Sequence, residues 1–170
     1  RLLQAARRSP HLRRAILLGL YTGSRPGVIL ALRWDQIDFT NGIMSRVPLG
    51  MNEDKKKRAP KVKLGRRILA HLRRWRELDG PHSKHVCHYN GTQVEDPHGT
   101  WKRAVTGAGL ELHGPNKVTR HTLRHTRATW MMQAGVPIWE AAGFLGMSTK
   151  TLERVYGHHA PDHQERAANI

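Results

Sequence analysis

Residues 120–159 have the sequence RHTLRHTRATWMMQAGVPIWEAAGFLGMSTKTLERVYGHH, and no other part of the chain says as much about its structure. Apolar residues recur there at helical spacing, with Gly135 as an internal break. We predict three helices, over Arg120–Gln133, Ile138–Leu145 and Thr149–Val155. The last third of the chain is therefore expected to be helical.

The residues before this stretch add more helices and a small sheet. Helical spacing predicts a mostly buried helix from His11 to Tyr21, and Pro26 suits the first turn of a short second helix. An Asn41-Gly42 pair, which permits a tight turn, predicts a β-hairpin. The remaining predicted elements are the two hairpin runs Gln36–Phe39 and Ile43–Val47, a helix over Arg66–Leu78, a strand candidate over His85–Tyr89 and a helix over His98–Ala108. The expected fold class is α+β, mainly helical, with a small antiparallel β-sheet near the N-terminal side.

The charge of the chain points to a polyanionic partner. Its 170 residues contain 29 Lys and Arg against 13 Asp and Glu, a net charge of +16 with histidine neutral. No stretch is apolar over the length that a bilayer requires, so nucleic acid is favoured over a membrane. The single cysteine, Cys87, excludes an internal disulfide framework, and no leader pattern is present. We expect a cytoplasmic protein.

The segment from Met51 to Lys63 is polar and strongly basic, and it lies between strand-like stretches. We expect an exposed basic loop or hairpin tip. Its cations are Lys55, Lys56, Lys57, Arg58, Lys61 and Lys63. Such a loop could contact DNA phosphates without taking part in catalysis.

His121 and Arg124 are three residues apart, which places both on one face of a helix. The forked donors of Arg124 match two non-bridging oxygens of a phosphate, and His121 could donate a further hydrogen bond or move a proton. Taken alone, the pair has a simpler explanation, because a basic protein exposes such residues on solvated helix faces. The surrounding motifs decide between the two.

Several short motifs surround that pair in a fixed order. Arg25 ends the stretch Thr22-Gly23-Ser24-Arg25, and a Leu-Gly box at Leu145-Gly146 is followed by Tyr156, nine positions after Met147. Residues 32–38, LRWDQID, match a Leu-x-Trp-x-x-Ile-Asp stretch. Together these motifs resemble the tyrosine recombinase and phage integrase family, over nearly the whole chain.

The resemblance implies the fold of a tyrosine recombinase catalytic domain and the activity of a site-specific recombinase. Such an enzyme cleaves and rejoins DNA strands through a 3′-phosphotyrosine. By their places in the motifs, Arg25, His121 and Arg124 would act on the phosphate, and Tyr156 would be the nucleophile. His121 is the nearest candidate base from the sequence. Two arginines that stabilise the developing charge require no metal, and we expect no cofactor.

A lysine on the hairpin is the usual general acid in this family. The basic loop offers several lysines, and alignment with integrase patterns favours Lys56 narrowly over Lys55. We expect Lys57 and Arg58 to contact the DNA backbone.

Two positions depart from the family pattern. Met147 stands where a histidine or tryptophan usually follows the Leu-Gly pair, and a thioether cannot donate a hydrogen bond. Val28 stands where a glutamate often orients the first arginine, so Arg25 requires another support. His158 follows the nucleophile closely and could support the site, although an exposed polar turn is the simpler explanation.

The sequence leaves alternatives open on function and assembly. A decayed DNA-binding module of the same fold, or strand relaxation like that of a type IB topoisomerase, would share most of these residues. We expect residues 1–170 to form a single catalytic domain, as a fragment that lacks an upstream core-binding or arm domain. The expected partner is double-stranded DNA, and no membrane is involved. We expect the full-length protein to act as a homotetramer on paired recombination sites and the isolated domain to be monomeric.

Overall fold

A computed structural model describes residues 1–48, 50, 58–161 and 163–170. The helices are α1 Leu2–Ala5, α2 Pro10–Thr22, α3 Pro26–Leu30, α4 Arg66–Asp79, α5 His98–Gly107, α6 Thr122–Gln133, α7 Ile138–Leu145, α8 Thr149–Tyr156 and α9 Glu165–Ala168. The strands are β1 Ile37–Asp38, β2 Ile43–Met44, β3 Val62–Lys63, β4 His88–Tyr89 and β5 Thr92–Gln93. The predicted α+β class with a mainly helical chain is confirmed. In the described part of the chain, no helix is long and apolar enough to cross a membrane.

The sheet near the N-terminal side has three antiparallel strands in the order β1-β2-β3. Ile37 pairs with Met44, and Met44 pairs with Val62, so three buried apolar side chains lie side by side on one face. The predicted hairpin is therefore confirmed. The third strand shows that the end of the Met51–Lys63 segment is not loop, because Val62 has a place in the core.

Three predicted strands are shorter than expected, since Gln36–Phe39 is reduced to Ile37–Asp38, Ile43–Val47 to Ile43–Met44 and His85–Tyr89 to His88–Tyr89. Gln36 belongs to a 3-10 turn, Trp34–Gln36, because its side chain accepts the Arg33 N–H at 3.0 Å and donates to the Ser45 carbonyl at 3.0 Å. Those side-chain bonds fix a turn where the sequence indicated a strand. His85 makes only an isolated bridge to Arg33, and the strand itself begins at His88.

Helix α2 lies at the centre of the molecule and contributes to two apolar clusters. Leu18 packs with the sheet and α4, whereas Leu12 and Ile16 pack with Trp101 of α5. Pro10 begins the helix. Proline is tolerated there because the backbone N–H groups of the first turn have no hydrogen-bond partner within the helix. Gly23 ends it at φ 60°, a left-handed conformation that suits glycine, and donates its N–H to the Gly19 carbonyl.

A third apolar cluster joins α6, α7 and α8. It contains Met131 and Met132 of α6, Leu145 of α7, and Leu152 and Tyr156 of α8. One connection between this helical part and the centre is the contact of α2 with α6, which is close because residue 19 is a glycine. A Cβ atom at residue 19 would lie 2.8 Å from Leu123 Cδ1 and 3.0 Å from Leu123 Cβ.

We expect the substitution Gly19→Val to lower the free energy of unfolding by about 1–3 kcal/mol, because an overpacked contact forces its neighbours to shift. Urea denaturation followed by circular dichroism measures the change. Gly143→Val is the matched control, since a Cβ atom at this helical glycine meets no atom within 4 Å. Its effect should stay within about 0.5 kcal/mol. Equal losses in both variants would contradict a tight α2–α6 contact.

Candidate active site

Arg25 lies at the entrance of α3, directly after the turn that ends α2. Its Nη1 donates to the carbonyl oxygen of Arg58 at 2.8 Å, and its Nη2 makes a longer contact, 3.4 Å, with the carbonyl of Gly146. The glutamate that the family pattern places at Val28 is therefore not required to hold this side chain. Two backbone carbonyls from distant segments do so instead.

Gly146 makes that arrangement possible. It ends α7 at φ 67°, and a Cβ atom there would lie 2.7 Å from Pro60 Cδ and 2.9 Å from the Arg58 carbonyl oxygen. The backbone around residues 58–60 thus passes directly over a position that only glycine can occupy without displacement. The Leu-Gly box and the end of the basic loop meet at this point.

Arg124 contacts the turn that precedes Arg25. Its Nη1 donates to the Gly23 carbonyl at 2.7 Å. Burial, and then the positive charge of Arg25, lowers the pKa of Arg124 to about 10. His121 is the N-terminal cap residue of α6 and is exposed, and its side chain makes no hydrogen bond within the described residues. The structure thus brings Arg25 and Arg124 together and leaves the His121 side chain exposed to solvent.

Arg46 is a third arginine in this cluster, and the sequence analysis missed it. Only 5% of it is exposed. Its guanidinium donates to Ser24 Oγ at 2.9 Å and to the carbonyls of Thr22 at 2.7 Å, Phe144 at 2.7 Å and Pro60 at 3.2 Å. Burial and the charges of Arg124 and Arg25 lower its pKa to about 10. The available signal was a charged residue inside the apolar run predicted from Ile43 to Val47.

Tyr156 is the last residue of α8, and only 6% of it is exposed because it packs into the α6–α8 cluster. Its hydroxyl lies 2.5 Å from Nδ1 of His125. Burial raises the pKa of Tyr156, and the nearby charge of Arg124 acts in the opposite direction. His125 was also missed from the sequence. It follows Arg124 directly and lies one helical turn after His121, which is the signal that could have drawn attention to it.

The structure gives Met147 and His158 less direct connections to the tyrosine. Met147 is half-buried against the α6–α8 cluster and lines an open cleft of about 550 Å³ together with Arg58, Gly146 and Trp139. His158 is exposed in the 3-10 turn that follows Tyr156. The ring centroids of His158 and His159 are 4.0 Å apart. Met147 therefore lies near the end of the basic loop.

Of the cations expected in the basic loop, Arg58, Lys61 and Lys63 are described and exposed, and the backbone carbonyl of Arg58 holds Arg25. Lys55, Lys56 and Lys57 lie outside the described residues. Their expected roles as general acid and DNA contacts stay predictions.

Comparison with known proteins identifies the family of this chain. The sequence model of the phage integrase family matches residues 1–163. The chain belongs to the phage integrase family. The integrase of Salmonella phage P22 is 30% identical over 167 residues, which cover 89% of this chain and 40% of the phage protein. The integrase-family chain thus spans less than half the length of that relative.

Solved structures show the same fold. The catalytic domain of bacteriophage HP1 integrase is 25% identical, with a TM-score of 0.69 over 100% of this chain and 89% of that one. The transposon Tn1549 integrase, solved in complex with transposon right-end DNA, has a TM-score of 0.75 at 20% identity, over 98% of this chain and 63% of that chain. The predicted tyrosine recombinase catalytic-domain fold is confirmed.

The electrostatics of this integrase-family site favour an anion. The positive charge of Arg25 lowers the pKa values of both Arg46 and Arg124, and the charge of Arg124 also lowers that of Arg46. Within the described ranges, none of the three forms an ion pair with a carboxylate. Arginine donors in that setting are suited to a phosphate group, whose charge would offset their repulsion.

We expect Arg46→Lys to lower the free energy of unfolding by about 1–3 kcal/mol, because an ammonium cannot reach four acceptors that a planar guanidinium serves. Chemical denaturation measures the loss. Arg120→Lys is the control, since Arg120 forms a surface pair with Asp96, and pairs of this kind contribute at most about 1 kcal/mol. If both variants were equally stable, Arg46 would not be holding the segments together.

Proposed function

We propose that this chain is the catalytic domain of a site-specific DNA recombinase, which cleaves and rejoins DNA strands through a covalent 3′-phosphotyrosine on Tyr156. The observation that carries the proposal is the proximity of Arg124 both to Arg25 and to the buried Tyr156, with Arg124 held on the Gly23 carbonyl of the turn that precedes Arg25. Membership of the phage integrase family supports the same activity.

In this proposal the arginines bind the scissile phosphate. Attack on a phosphodiester builds negative charge on the non-bridging oxygens, and guanidinium donors fixed in advance stabilise that charge. Arg25 and Arg124 would supply these donors, while Arg46 holds the backbone from which Arg25 extends. His121, at the N-terminal cap of α6, would add a donor to the phosphate.

The strand is broken when Tyr156 Oη attacks phosphorus and the 5′ oxygen departs. The departing oxygen needs a proton, for which we propose Lys56 or Lys55, with Lys57 and Arg58 on the DNA backbone. A 5′ hydroxyl of another strand then attacks the phosphotyrosine and restores a phosphodiester. This exchange conserves the bond energy, so it requires neither ATP nor another cofactor.

The partner that fits this site is double-stranded DNA. The net charge of +16 favours a polyanion, and the Tn1549 integrase was solved with transposon DNA. We further propose that residues 1–170 form the catalytic domain of a longer protein, in which an upstream domain completes the grip on DNA. Strand exchange between two sites would then take place in a homotetramer.

The substitution Tyr156→Phe should abolish covalent attachment, because it removes the nucleophilic oxygen. A nicked suicide duplex that carries the attachment site is incubated with the full-length protein, and the adduct is measured as a shifted band in a denaturing gel. The site itself is identified by sequencing DNA that stays attached to the wild-type protein after denaturation. An adduct that persists in Tyr156→Phe, or its absence from the wild type, would contradict the proposed function.

Tyr89→Phe provides the matched control for this experiment. Tyr89 is 65% exposed in β4, outside the cluster that holds Tyr156, so its variant should form the adduct at the wild-type rate. A loss of adduct in both variants would indicate a general effect on folding, which thermal unfolding would reveal.

Met147→His should raise the rate of adduct formation, because it introduces a donor where a thioether has none. Removal of one donor to a developing oxyanion costs about 10²–10³ in rate, and the gain should approach the lower end of that range. Single-turnover cleavage of the suicide duplex measures it. Met147→Leu, which keeps the apolar packing without a donor, should match the wild type. Equal rates for His and Leu at this position would show that residue 147 does not contact the phosphate.

A further inference from the structure

The hydroxyl of Tyr156 has one hydrogen-bond partner in the described part of the chain, and it is His125. Nδ1 of His125 lies 2.5 Å from Tyr156 Oη, and the ring centroids are 5.9 Å apart with the planes tilted by 43°. The contact joins α6 to the last residue of α8. A titratable nitrogen therefore lies within hydrogen-bond distance of the oxygen that the proposed function assigns as the nucleophile.

We propose that His125 is the general base for Tyr156: its Nδ1 accepts the hydroxyl proton as the tyrosine oxygen attacks phosphorus. This inference rests on the proposed function and names a catalytic residue within that same site. It gives the role of base to His125 rather than to His121, whose side chain makes no hydrogen bond within the described residues.

The environment of His125 keeps its imidazole in the form that can accept a proton. Burial lowers its pKa below 6.5, and the charges of His121 and Arg124 on its own helix lower it further. The group that faces it from α8 is Tyr156. This lowering of the pKa favours the uncharged ring at neutral pH, in which one nitrogen is an acceptor.

Tyr156 needs such a base because the fold makes its ionisation harder. Burial raises the pKa of the phenol above its ordinary value of 10. A phenol with that pKa is almost entirely protonated at neutral pH, so its proton must leave during the attack. A base already hydrogen-bonded to the hydroxyl can accept this proton without any rearrangement.

The proposed step is balanced. A bond forms between Tyr156 Oη and phosphorus, the bond from phosphorus to the 5′ oxygen breaks, and the phenolic proton moves to His125 Nδ1. The departing 5′ oxygen takes a separate proton from a lysine ammonium of the basic loop, Lys56 or Lys55. In the rejoining step His125 returns its proton to Tyr156, and the lysine recovers the proton of the attacking 5′ hydroxyl.

The first test compares His125→Ala and His125→Gln with the wild type in single-turnover cleavage of the suicide duplex by the full-length protein. Both variants should form the adduct about 10²–10⁴-fold more slowly, the usual contribution of a general base. Glutamine offers an oxygen that can bond to the hydroxyl but cannot take its proton. His113→Ala is the matched control, since His113 is exposed outside the site, and it should cleave at the wild-type rate.

A second substrate separates the base from the acid. In a duplex with sulfur in place of the bridging 5′ oxygen, the leaving group is a thiolate, whose conjugate acid has a pKa of about 8.5, so it departs without a proton. If Lys56 is the general acid, this substrate should restore cleavage by Lys56→Ala; if Lys55 is the acid, it should restore cleavage by Lys55→Ala. It should not restore cleavage by His125→Ala, because the phenolic proton still has no acceptor.

The pH profile supplies a third readout, which a purely structural role would not change. Protonated His125 cannot act as a base, so the wild-type rate should fall as the pH drops through the lowered histidine pKa, below 6.5. This acidic limb should be absent from His125→Gln. His121 also lies nearby, and His121→Gln should keep the limb if His125 causes it.

Several results would overturn the proposal. Wild-type rates in His125→Ala or His125→Gln would do so, as would rescue of His125→Ala by the sulfur substrate. Faster cleavage by His125→Ala would instead show that the contact restrains the nucleophile. Circular dichroism confirms that each variant is folded at the assay temperature. If the wild-type protein forms no adduct, the proposed function itself is contradicted. Normal adduct formation in the His125 variants contradicts only the role of His125 as the base.

Discussion

Arg46 carries a positive charge into a part of the molecule that water scarcely reaches, and the site depends on how that charge is compensated. Loss of hydration is costly unless hydrogen bonds replace it. The replacing oxygens belong to the turn at Thr22 and Ser24, to Pro60 and to Phe144. Three distant segments are thus fixed to one side chain. Each segment is close in sequence to a residue of the site, namely Arg25, Arg58 or Gly146, which explains why these residues meet.

The same cluster has an excess of positive charge in its immediate surroundings. Elsewhere in the fold a buried arginine is paired conventionally, since Arg14 binds Asp79 through two hydrogen bonds of 2.7 and 2.8 Å. At the site, the described residues place backbone carbonyls next to the guanidinium groups instead. Dipoles satisfy the hydrogen-bonding geometry without neutralising the charge. The repulsion that remains destabilises the ligand-free site and increases its affinity for an anion.

Sequence patterns predicted the parts of this molecule that have local causes. Apolar residues at helical spacing predicted a helix over Arg120–Gln133, and α6 spans Thr122–Gln133. Arg25 and Arg124 belong to recognisable motifs. Arg46 was missed because its partners are backbone carbonyls up to 98 residues away, and carbonyls leave no mark on residue type. His125 was missed because its partner lies 31 residues away on another helix. The strand ends were misjudged because two-residue strands show no alternation, and the side chain of Gln36 closes a turn.

Helix α8 has a consequence for how such a chain can diverge. Its first turn is fixed by Ser148, whose hydroxyl accepts the Thr151 N–H at 3.1 Å, and Leu152 anchors its inner face four residues before Tyr156. Successive residues of an α-helix are rotated by about 100°. One inserted or deleted residue would turn the phenol away from α6, whereas most substitutions on the outer face would leave it in place. The position of the phenol therefore depends on the number of residues in α8 and much less on the identity of its exposed residues.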